Sequence, residues 1–280
     1  MKLLRVGDKG KEKPAILDKN NKIKDISSII PDLNPNLLNF ETISKIEKLD
    51  LNSLKEVSSS ERIGPCVKNP GKFVAIGLNY SDHAEETGNP IPTEPIVFMK
   101  ATSCINGPND DIEIKPDSKK LDWEVELGII IGKECKDIKE SESDSHIFGY
   151  CLVNDISERE WQIEKLGQWV KGKSHDTYGP IGPYIVTKDE IKDINNLNLF
   201  LDVNEKRMQT GNTNKMIFNV YEIVSYLSKY MSLQPGDIIT TGTPPGVGMG
   251  KKPQVFLKAG DSIKLSIDNL GEQNSKVILI

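Results

Sequence analysis

The sequence lacks the features of membrane and disulfide-rich secreted proteins. None of its apolar runs approaches the roughly 18 residues that a membrane-spanning helix needs. The first residues contain no apolar segment typical of a signal peptide, so we expect a cytoplasmic protein. The four cysteines are scattered without a Cys-x-x-Cys spacing, which predicts reduced thiols rather than disulfides.

Positive charge and nucleotide-binding motifs are also scarce. The net charge of −5 argues against a protein that coats nucleic acid and gives no sign of membrane attachment. The glycine-rich residues 242–248 lack the Gly-Lys-Ser/Thr of a P-loop and the spacing of a dinucleotide-binding motif. We therefore expect neither a nucleic-acid partner nor a membrane partner.

Strand-like blocks separated by turn residues divide the 280 residues into two predicted units. Residues 1–65 form a small N-terminal domain, with two short strands followed by a short helix or two and a linker. Residues 70–280 form the larger domain. Its predicted strands are residues 73–77, 96–99, 124–131, 147–153, 184–186, 197–203, 238–241 and 263–267.

Helical spacing is clear only in residues 219–231, where apolar side chains form one stripe. Many strands with few helices predict a β-rich α+β fold whose centre is a barrel or a folded-over sheet. No internal repeat interrupts this pattern.

Two acidic residues lie in a segment that reads as a buried strand. Because side chains alternate along a strand, Glu124 and Glu126 should point to the same face. Ionised carboxylates are costly to bury unless a positive charge lies between them. Asp155, after the next apolar run, would add a third oxygen donor, so the three predict magnesium, manganese or calcium rather than zinc. The alternative for Glu-x-Glu alone is a solvated face paired with nearby lysines.

A short segment after the predicted strand 73–77 contains a histidine and an acid in helical register. His83 and Glu86 are three residues apart, and Gly88 could end the helix. Asp82 with Glu85 resembles a capping box at its start. A carboxylate beside an imidazole raises its basicity, as a water-activating base requires. The alternative is a surface histidine next to an acidic pair.

Two later segments carry further candidate residues. Arg159 and Gln162 share a face if residues 156–166 form a helix. Lys173 follows in a glycine-flanked loop, where an ammonium group can stabilise an enolate. The alternative for Arg159 and for Lys173 is a structural ion pair. The loop around Thr243 offers a hydroxyl and backbone N–H groups to an anion, or is a plain tight turn.

Together these segments resemble the fumarylacetoacetate hydrolase family over residues 70–280. The motifs that carry the resemblance are Gly-x-Asn-Tyr-x-x-His-x-x-Glu (77–86), Phe-x-Lys (98–100), Glu-x-Glu-Leu-Gly (124–128), Asn-Asp-x-Ser-x-Arg-x-x-Gln (154–162), Lys-x-x-Asp-x-x-x-Pro-x-Gly-Pro (173–183), Met-Ile-Phe (216–218) and the Pro-Gly-Asp to Gly-Val-Gly stretch (235–248). The N-terminal unit looks like that of bacterial members labelled ureidoglycolate lyase, and of hydrolases of 2,4-diketo-3-deoxy sugar acids such as rhamnonate and fuconate derivatives.

The resemblance implies a β-rich fold with a mixed β-roll or barrel and a small N-terminal domain. It also implies Mg²⁺ or Mn²⁺, with Ca²⁺ as a substitute, bound by Glu124, Glu126 and Asp155. The metal would chelate the 2-oxo and carboxylate oxygens of an acylpyruvate or related 2-oxo acid. A homodimer is also implied.

The same resemblance implies catalytic roles. His83 with Glu86 would activate water for attack on the C4 carbonyl, on a segment that closes over the site. Lys173 would stabilise the pyruvate enolate left by C3–C4 cleavage, and Thr243 would bind the substrate carboxylate. The other substrate-contacting residues would be Arg159, Gln162 and Lys100.

One position departs from the pattern of some larger relatives, which carry another carboxylate near the metal where this chain has Asn79. That difference favours three protein ligands. The expected activity is hydrolysis of a C–C bond in a 1,3-diketo acid, either an acylpyruvate or a 2,4-diketo-3-deoxy sugar acid. The alternatives are a ureidoglycolate lyase acting on a carbon–nitrogen bond, an oxaloacetate decarboxylase, and a non-catalytic metal-binding scaffold. Acyl specificity is expected to lie in residues 88–95 and the N-terminal unit.

Overall fold

The computed structural model describes residues 1–88 and 90–280. Over these residues the strands are β1 (Lys2–Val6), β2 (Lys13–Leu17), β3 (Ile23–Asp25), β4 (Glu56–Val57), β5 (Phe73–Gly77), β6 (Ile96–Lys100), β7 (Ile105–Asn106), β8 (Ile112–Ile114), β9 (Leu121–Asp122), β10 (Val125–Ile131), β11 (Ile147–Asn154), β12 (Ser157–Glu158), β13 (Gly179–Pro180), β14 (Ile185–Thr187), β15 (Asn198–Val203), β16 (Lys206–Asn212), β17 (Ile238–Thr240), β18 (Ser262–Ile267) and β19 (Gly271–Leu279). The helices are α1 (Phe40–Ile46), α2 (Ser81–Thr87), α3 (Val170–Lys173) and α4 (Val220–Tyr230).

Most of these strands belong to two sheets. Ten strands form the central sheet in the order β4-β3-β2-β1-β14-β11-β10-β17-β5-β6, and five form a second sheet in the order β16-β15-β18-β19-β8. The central sheet is mixed, because β17 pairs in parallel with β5 but antiparallel with β10. The predicted β-rich α+β fold is confirmed. The hydrogen-bonded order of the described strands is open, with β4 and β6 at its two ends.

The centre of the large sheet is covered on both faces. Every residue of β10 and β11 is buried, as the continuous apolar runs predicted. The two strands pair antiparallel, with Val125 opposite Asn154 and Leu127 opposite Leu152. This register brings the beginning of β10 beside the end of β11, which is where the predicted acidic residues lie.

The N-terminal residues extend the same sheet. β1 pairs with β14 through Leu3 and Ile185, and β2 to β4 follow outward. The buried Arg5 joins segments within this part, because its guanidinium donates to Asp32 (2.6 Å) and to the Pro65 carbonyl (3.1 Å). The domain boundary near residue 65 stays a prediction, while the sheet runs continuously across residues on both sides of it.

Among the strands that were not expected from the sequence, β16 and β19 are the longest. β19 turns Gln273, Ser275 and Val277 inward between exposed residues. Because two of these three inward side chains are polar, the apolar alternation that identifies a half-buried strand is weak here. β16 is likewise built mainly from polar residues.

The single clear helical pattern is confirmed as α4. Asn219 caps its start by accepting hydrogen bonds from the N–H groups of Tyr221 (2.8 Å) and Glu222 (3.1 Å), and the Glu222 carboxylate accepts from Asn219 N (2.8 Å). Across the described residues, none of the helices has the length and apolar character required to cross a membrane. The four cysteines are buried free thiols.

Candidate active site

Three buried carboxylates meet where β10 begins and β11 ends. Glu124 directly precedes β10, Glu126 lies within it, and Asp155 directly follows β11. One oxygen from each lies within 4.8 Å of the others. Their residues are exposed by 6%, 2% and 0% respectively, so the solvated-face alternative is wrong. We call Glu124, Glu126 and Asp155 the acidic cluster.

Buried cations surround this cluster. Lys173 Nζ lies 2.6 Å from Glu124 Oε2 and 2.8 Å from Asp155 Oδ2. Lys100 Nζ contacts Asp155 Oδ1 at 2.7 Å and donates to the backbone carbonyl of Lys173. Arg159 Nη2 donates to Glu124 Oε1 at 2.7 Å. Each of these ion pairs brings a positive charge to a carboxylate that is costly to bury unpaired.

The positive charges are unevenly distributed over the three acids. Burial acts to raise the pKa of Glu124, but the charges of Arg159 and Lys173 outweigh it and lower that pKa to about 2. Burial raises the pKa of Glu126 well above its usual range, and the negative charges of Asp155 and Glu124 raise it further. Ionising all three acids together therefore requires additional positive charge beside Glu126.

A divalent metal ion fits this requirement. The acidic cluster offers only carboxylate oxygens, the donors that Mg²⁺ and Mn²⁺ prefer. The Glu126 carboxylate is oriented by Gly242 N, which donates to Oε2 at 2.8 Å, and by the Thr240 hydroxyl. The donor set and its charge deficit both support binding of a divalent cation.

The predicted histidine–acid pair lies on α2. His83 Nδ1 is 3.2 Å from Glu86 Oε2. The Glu86 carboxylate also accepts from Gly246 N at 3.1 and 3.0 Å. Burial acts to raise the pKa of Glu86, but the hydrogen bonds from His83 and Gly246 lower it overall. Glu86 is thus an anion fixed between the histidine and the glycine-rich loop.

The start of α2 differs from the predicted capping box. The helix begins at Ser81 with Tyr80 as its N-cap, and no side chain caps it. Asp82 instead lies in the first turn, where its carboxylate accepts from His83 N at 3.0 Å. The end was predicted correctly, since Gly88 is the C-cap with φ of 68°, a left-handed conformation that suits glycine.

A cavity of about 320 Å³ joins the acidic cluster and the histidine. Its polar lining comprises His83, Glu124, Glu126, Asp155, Arg159, Gln162, Lys173 and Thr243. Its apolar lining comprises Ile76, Leu78, Ile96, Phe98, Ile163, Trp169 and Met249. Two predicted residues, Glu86 and Lys100, are not in the described lining of the cavity but contact residues that are. Glu86 contacts His83, and Lys100 contacts Asp155.

Comparison of the sequence with known proteins identifies its family. The family model described as Fumarylacetoacetate (FAA) hydrolase C-terminal matches residues 72–278. The chain belongs to the fumarylacetoacetate hydrolase family. It is 57% identical over 274 residues to a Burkholderia ambifaria protein named "Putative hydrolase", a match that covers 98% of this chain and 97% of that one.

Solved structures of the family share the whole fold. A fumarylacetoacetate hydrolase from Exiguobacterium antarcticum has a TM-score of 0.90 and 33% sequence identity, with 100% of both chains covered. Maleylpyruvate hydrolase from Sphingobium sp. SYK-6, solved with manganese(II) and pyruvate, has a TM-score of 0.84 and 28% identity, covering 100% of this chain and 99% of that chain. The manganese in that relative agrees with a divalent metal site here.

Arg159 and Gln162 meet, but on a different element from the one expected. The condition for their shared face was a helix over 156–166, but the segment forms β12 and then a π-helical turn at Glu160–Glu164. Arg159 Nη1 still donates to Gln162 Oε1 at 3.0 Å. The pairing of Ser157 with Asp122 in β9 keeps the first residues extended.

Thr243 lines the cavity with its hydroxyl engaged on the protein side. The hydroxyl donates to Val125 O (3.0 Å) and accepts from Gln209 Nε2 (2.8 Å). Gln209 is a buried site residue that the sequence reasoning missed. Contact of Thr243 with a substrate carboxylate stays a prediction.

Asp122 is a second residue that the sequence reasoning missed. Its carboxylate accepts from Gly248 N (2.6 Å), Met249 N (3.0 Å) and Arg159 Nε (2.8 Å). It therefore connects the glycine-rich loop to the arginine beside the acidic cluster. The strand parity that pairs Glu124 with Glu126 also includes residue 122, and that signal could have found it.

Asn79, the position at which the resemblance implied a departure from larger relatives, has a structural role. Its amide donates to Phe218 O (3.0 Å) and Thr241 O (2.8 Å), and its oxygen accepts from Phe218 N (2.8 Å). An asparagine supplies both the donor and the acceptor that these backbone groups require, which an ionised carboxylate does not.

The Glu126→Gln variant tests the charge deficit of the acidic cluster. Loss of one anionic ligand should abolish most of the rise in melting temperature that Mg²⁺ or Mn²⁺ produces, since that rise follows metal affinity. The metal-free melting temperature should be unchanged or higher, because like charges are removed. Differential scanning calorimetry measures both, with Glu12→Gln, a buried acid paired with Arg5, as the control. A full metal-induced rise in Glu126→Gln would contradict the assignment.

Proposed function

We propose that the chain is a divalent-metal-dependent hydrolase that cleaves the C3–C4 bond of an acylpyruvate. The observation that carries the proposal is the shared cavity of His83, Lys173 and the acidic cluster. In this cavity a water-activating base and an enolate-stabilising cation would lie on either side of one small ligand. The manganese and pyruvate named with the Sphingobium maleylpyruvate hydrolase support the same chemistry.

The acidic cluster would hold the metal, with Mg²⁺ or Mn²⁺ as its natural occupant and Ca²⁺ as a substitute. When bound, the metal supplies a Lewis acid and a template for the 2-oxo acid. Arg159 keeps Glu124 ionised and oriented through the contact at 2.7 Å. Lys100 Nζ, which lies outside the described cavity lining, orients the Asp155 carboxylate through its contact with Oδ1 at 2.7 Å.

The histidine supplies the base. The contact with the Glu86 anion favours the tautomer that carries its proton on Nδ1, so the basic lone pair lies on Nε2. His83 takes a proton from water as the oxygen adds to the C4 carbonyl carbon of the substrate. Gly246 N holds Glu86 in place during this transfer.

The C3–C4 bond then breaks, and its electron pair passes to the pyruvate fragment as an enolate. The ammonium group of Lys173 stabilises the enolate oxygen. The imidazolium of His83 returns its proton to C3, which gives pyruvate and a carboxylic acid. Arg159, Gln162 and Thr243 would orient the substrate at the acidic end of the cavity.

A decarboxylase or lyase on the same fold needs no attacking water. The His83–Glu86 pair beside the cavity therefore favours hydrolysis over oxaloacetate decarboxylation and ureidoglycolate cleavage. A binding scaffold would have no use for such a pair.

We also propose a cytoplasmic homodimer, because closed two-fold dimers are the commonest oligomers and the family resemblance implies one. Light scattering at micromolar concentration should give twice the chain mass of 31.2 kDa. A monomer mass under these conditions would contradict the dimer.

The His83→Ala variant tests the base. The kcat for acylpyruvate hydrolysis should fall by about 10²–10⁴-fold, the usual effect of losing a general base. KM should stay within a few-fold, because binding is not altered. Any oxaloacetate decarboxylation should survive. Glu86→Ala combined with His83→Ala should be little worse than the worse single variant, since the two act as a unit.

Steady-state kinetics on acetylpyruvate measures these effects. His175→Ala is the control, since this histidine does not belong to the described cavity lining. Wild-type kcat in His83→Ala would refute the proposed mechanism.

A further inference from the structure

We propose that the acyl group of the substrate is apolar, rather than an acid or a sugar chain. The inference rests on the proposed hydrolase function and deepens it. The cavity lining combines the polar residues given above, which include the acidic cluster and His83, with a group of seven apolar residues. The apolar lining residues defined above are here called the apolar wall.

Along one face of β6 the side chains change from charged to apolar. Lys100, Phe98 and Ile96 alternate along β6, so their side chains lie on one face. Lys100 Nζ contacts Asp155 of the acidic cluster at 2.7 Å. Phe98 comes next, with Lys173 Nζ 5.2 Å from its ring centroid. Ile96 lies furthest out and is 36% exposed. A substrate held at the acidic cluster would therefore extend its acyl end over Phe98 and Ile96.

Trp169 forms another part of the apolar wall and is held firmly. Its ring packs edge-on against Phe98, with centroids 5.2 Å apart and an interplanar angle of 65°. It also lies directly over Gly77, where an added Cβ would be 2.5 Å from Trp169 Cζ3. Ile163 extends the apolar lining outward and is 46% exposed. Fixed aromatic rings favour an apolar ligand over a hydrated one.

A second carboxylate on the substrate would find poor partners here. Among the described lining residues, the cations are Arg159 and Lys173, besides His83. Arg159 pairs with Asp122 and Glu124, and Lys173 is likewise engaged at the acidic cluster. An acid next to Phe98 and Ile96 would lose its hydration without gaining a counter-charge, which is costly. The hydroxyls of a sugar chain would also lose hydrogen bonds.

This proposal moves acyl specificity away from the segment that the sequence indicated. Of residues 88–95, residue 89 lies outside the described part of the chain. The apolar wall comes instead from the end of β5 and the residue after it, from β6, from the segment 163–169 and from Met249. The volume of about 320 Å³ lies near the lower end of ligand cavities, which span roughly 300–1,000 Å³. A short alkyl or single-ring acyl group fits this size.

A matched pair of substrates tests the proposal. 2,4-Dioxoheptanoate and 2,4-dioxoheptanedioate have the same carbon chain and differ only in a terminal methyl or carboxylate. With Mg²⁺ present, kcat/KM for the monoacid should exceed that for the diacid by about 100-fold, since a buried charge is left unpaired. An equal or higher value for the diacid would overturn the proposal.

Binding of uncleaved ligands separates this proposal from the hydrolase function. 2-Oxohexanoate and 2-oxoadipate form the corresponding pair and lack the C4 carbonyl. Calorimetry should show tighter binding of 2-oxohexanoate. If it does so while no acylpyruvate is hydrolysed, the proposed reaction fails and the apolar site stands. If 2-oxoadipate binds as tightly or more tightly, the apolar site fails, whatever the enzyme hydrolyses.

Ile96→Arg should shift preference toward the diacid by at least tenfold, because it adds a cation to the apolar wall. Val97→Arg is the matched control, since Val97 is 37% exposed on the same strand but points to the opposite face. An equal shift in both variants would indicate a general charge effect and overturn the assignment of Ile96.

Discussion

The crowding of three buried carboxylates is the constraint on which the rest of the site depends. Glu124, Glu126 and Asp155 bring oxygens within 4.8 Å of one another, and all three residues are buried, so little solvent screens their charges. The positive charges that stabilise these carboxylates come from several elements of the fold. Lys100 comes from β6 and Lys173 from α3, while Arg159 directly precedes the π-helical turn. The fold is thus arranged to bring positive charge to one point.

Hydrogen bonds through the glycine-rich loop connect the acidic cluster to the proposed base, His83. Asp122 binds Arg159 on one side and the N–H groups of Gly248 and Met249 on the other. Two residues earlier in that loop, Gly246 N binds the Glu86 carboxylate. The loop therefore couples the position of the proposed base to that of the acidic cluster, and both face one cavity.

Local patterns predicted much of this arrangement. Strand alternation placed Glu124 and Glu126 on one face, and β5 has the predicted bounds. Contacts over long sequence separations could not be found that way. The bonds of Asn79 to Phe218 and of Gln209 to Thr243 depend on how distant segments meet. Neither leaves a periodic signal along the chain.

The most direct test of the metal site is a crystal structure grown with Mn²⁺ and measured at the manganese absorption edge. Our account predicts one strong anomalous peak bound by oxygens of Glu124, Glu126 and Asp155 at about 2.1–2.2 Å. Binding of Mn²⁺ should draw Glu126 into the coordination shell as an anion. An acidic cluster that shows no anomalous peak at saturating Mn²⁺, with Lys173 still paired to Glu124 and Asp155, would contradict it.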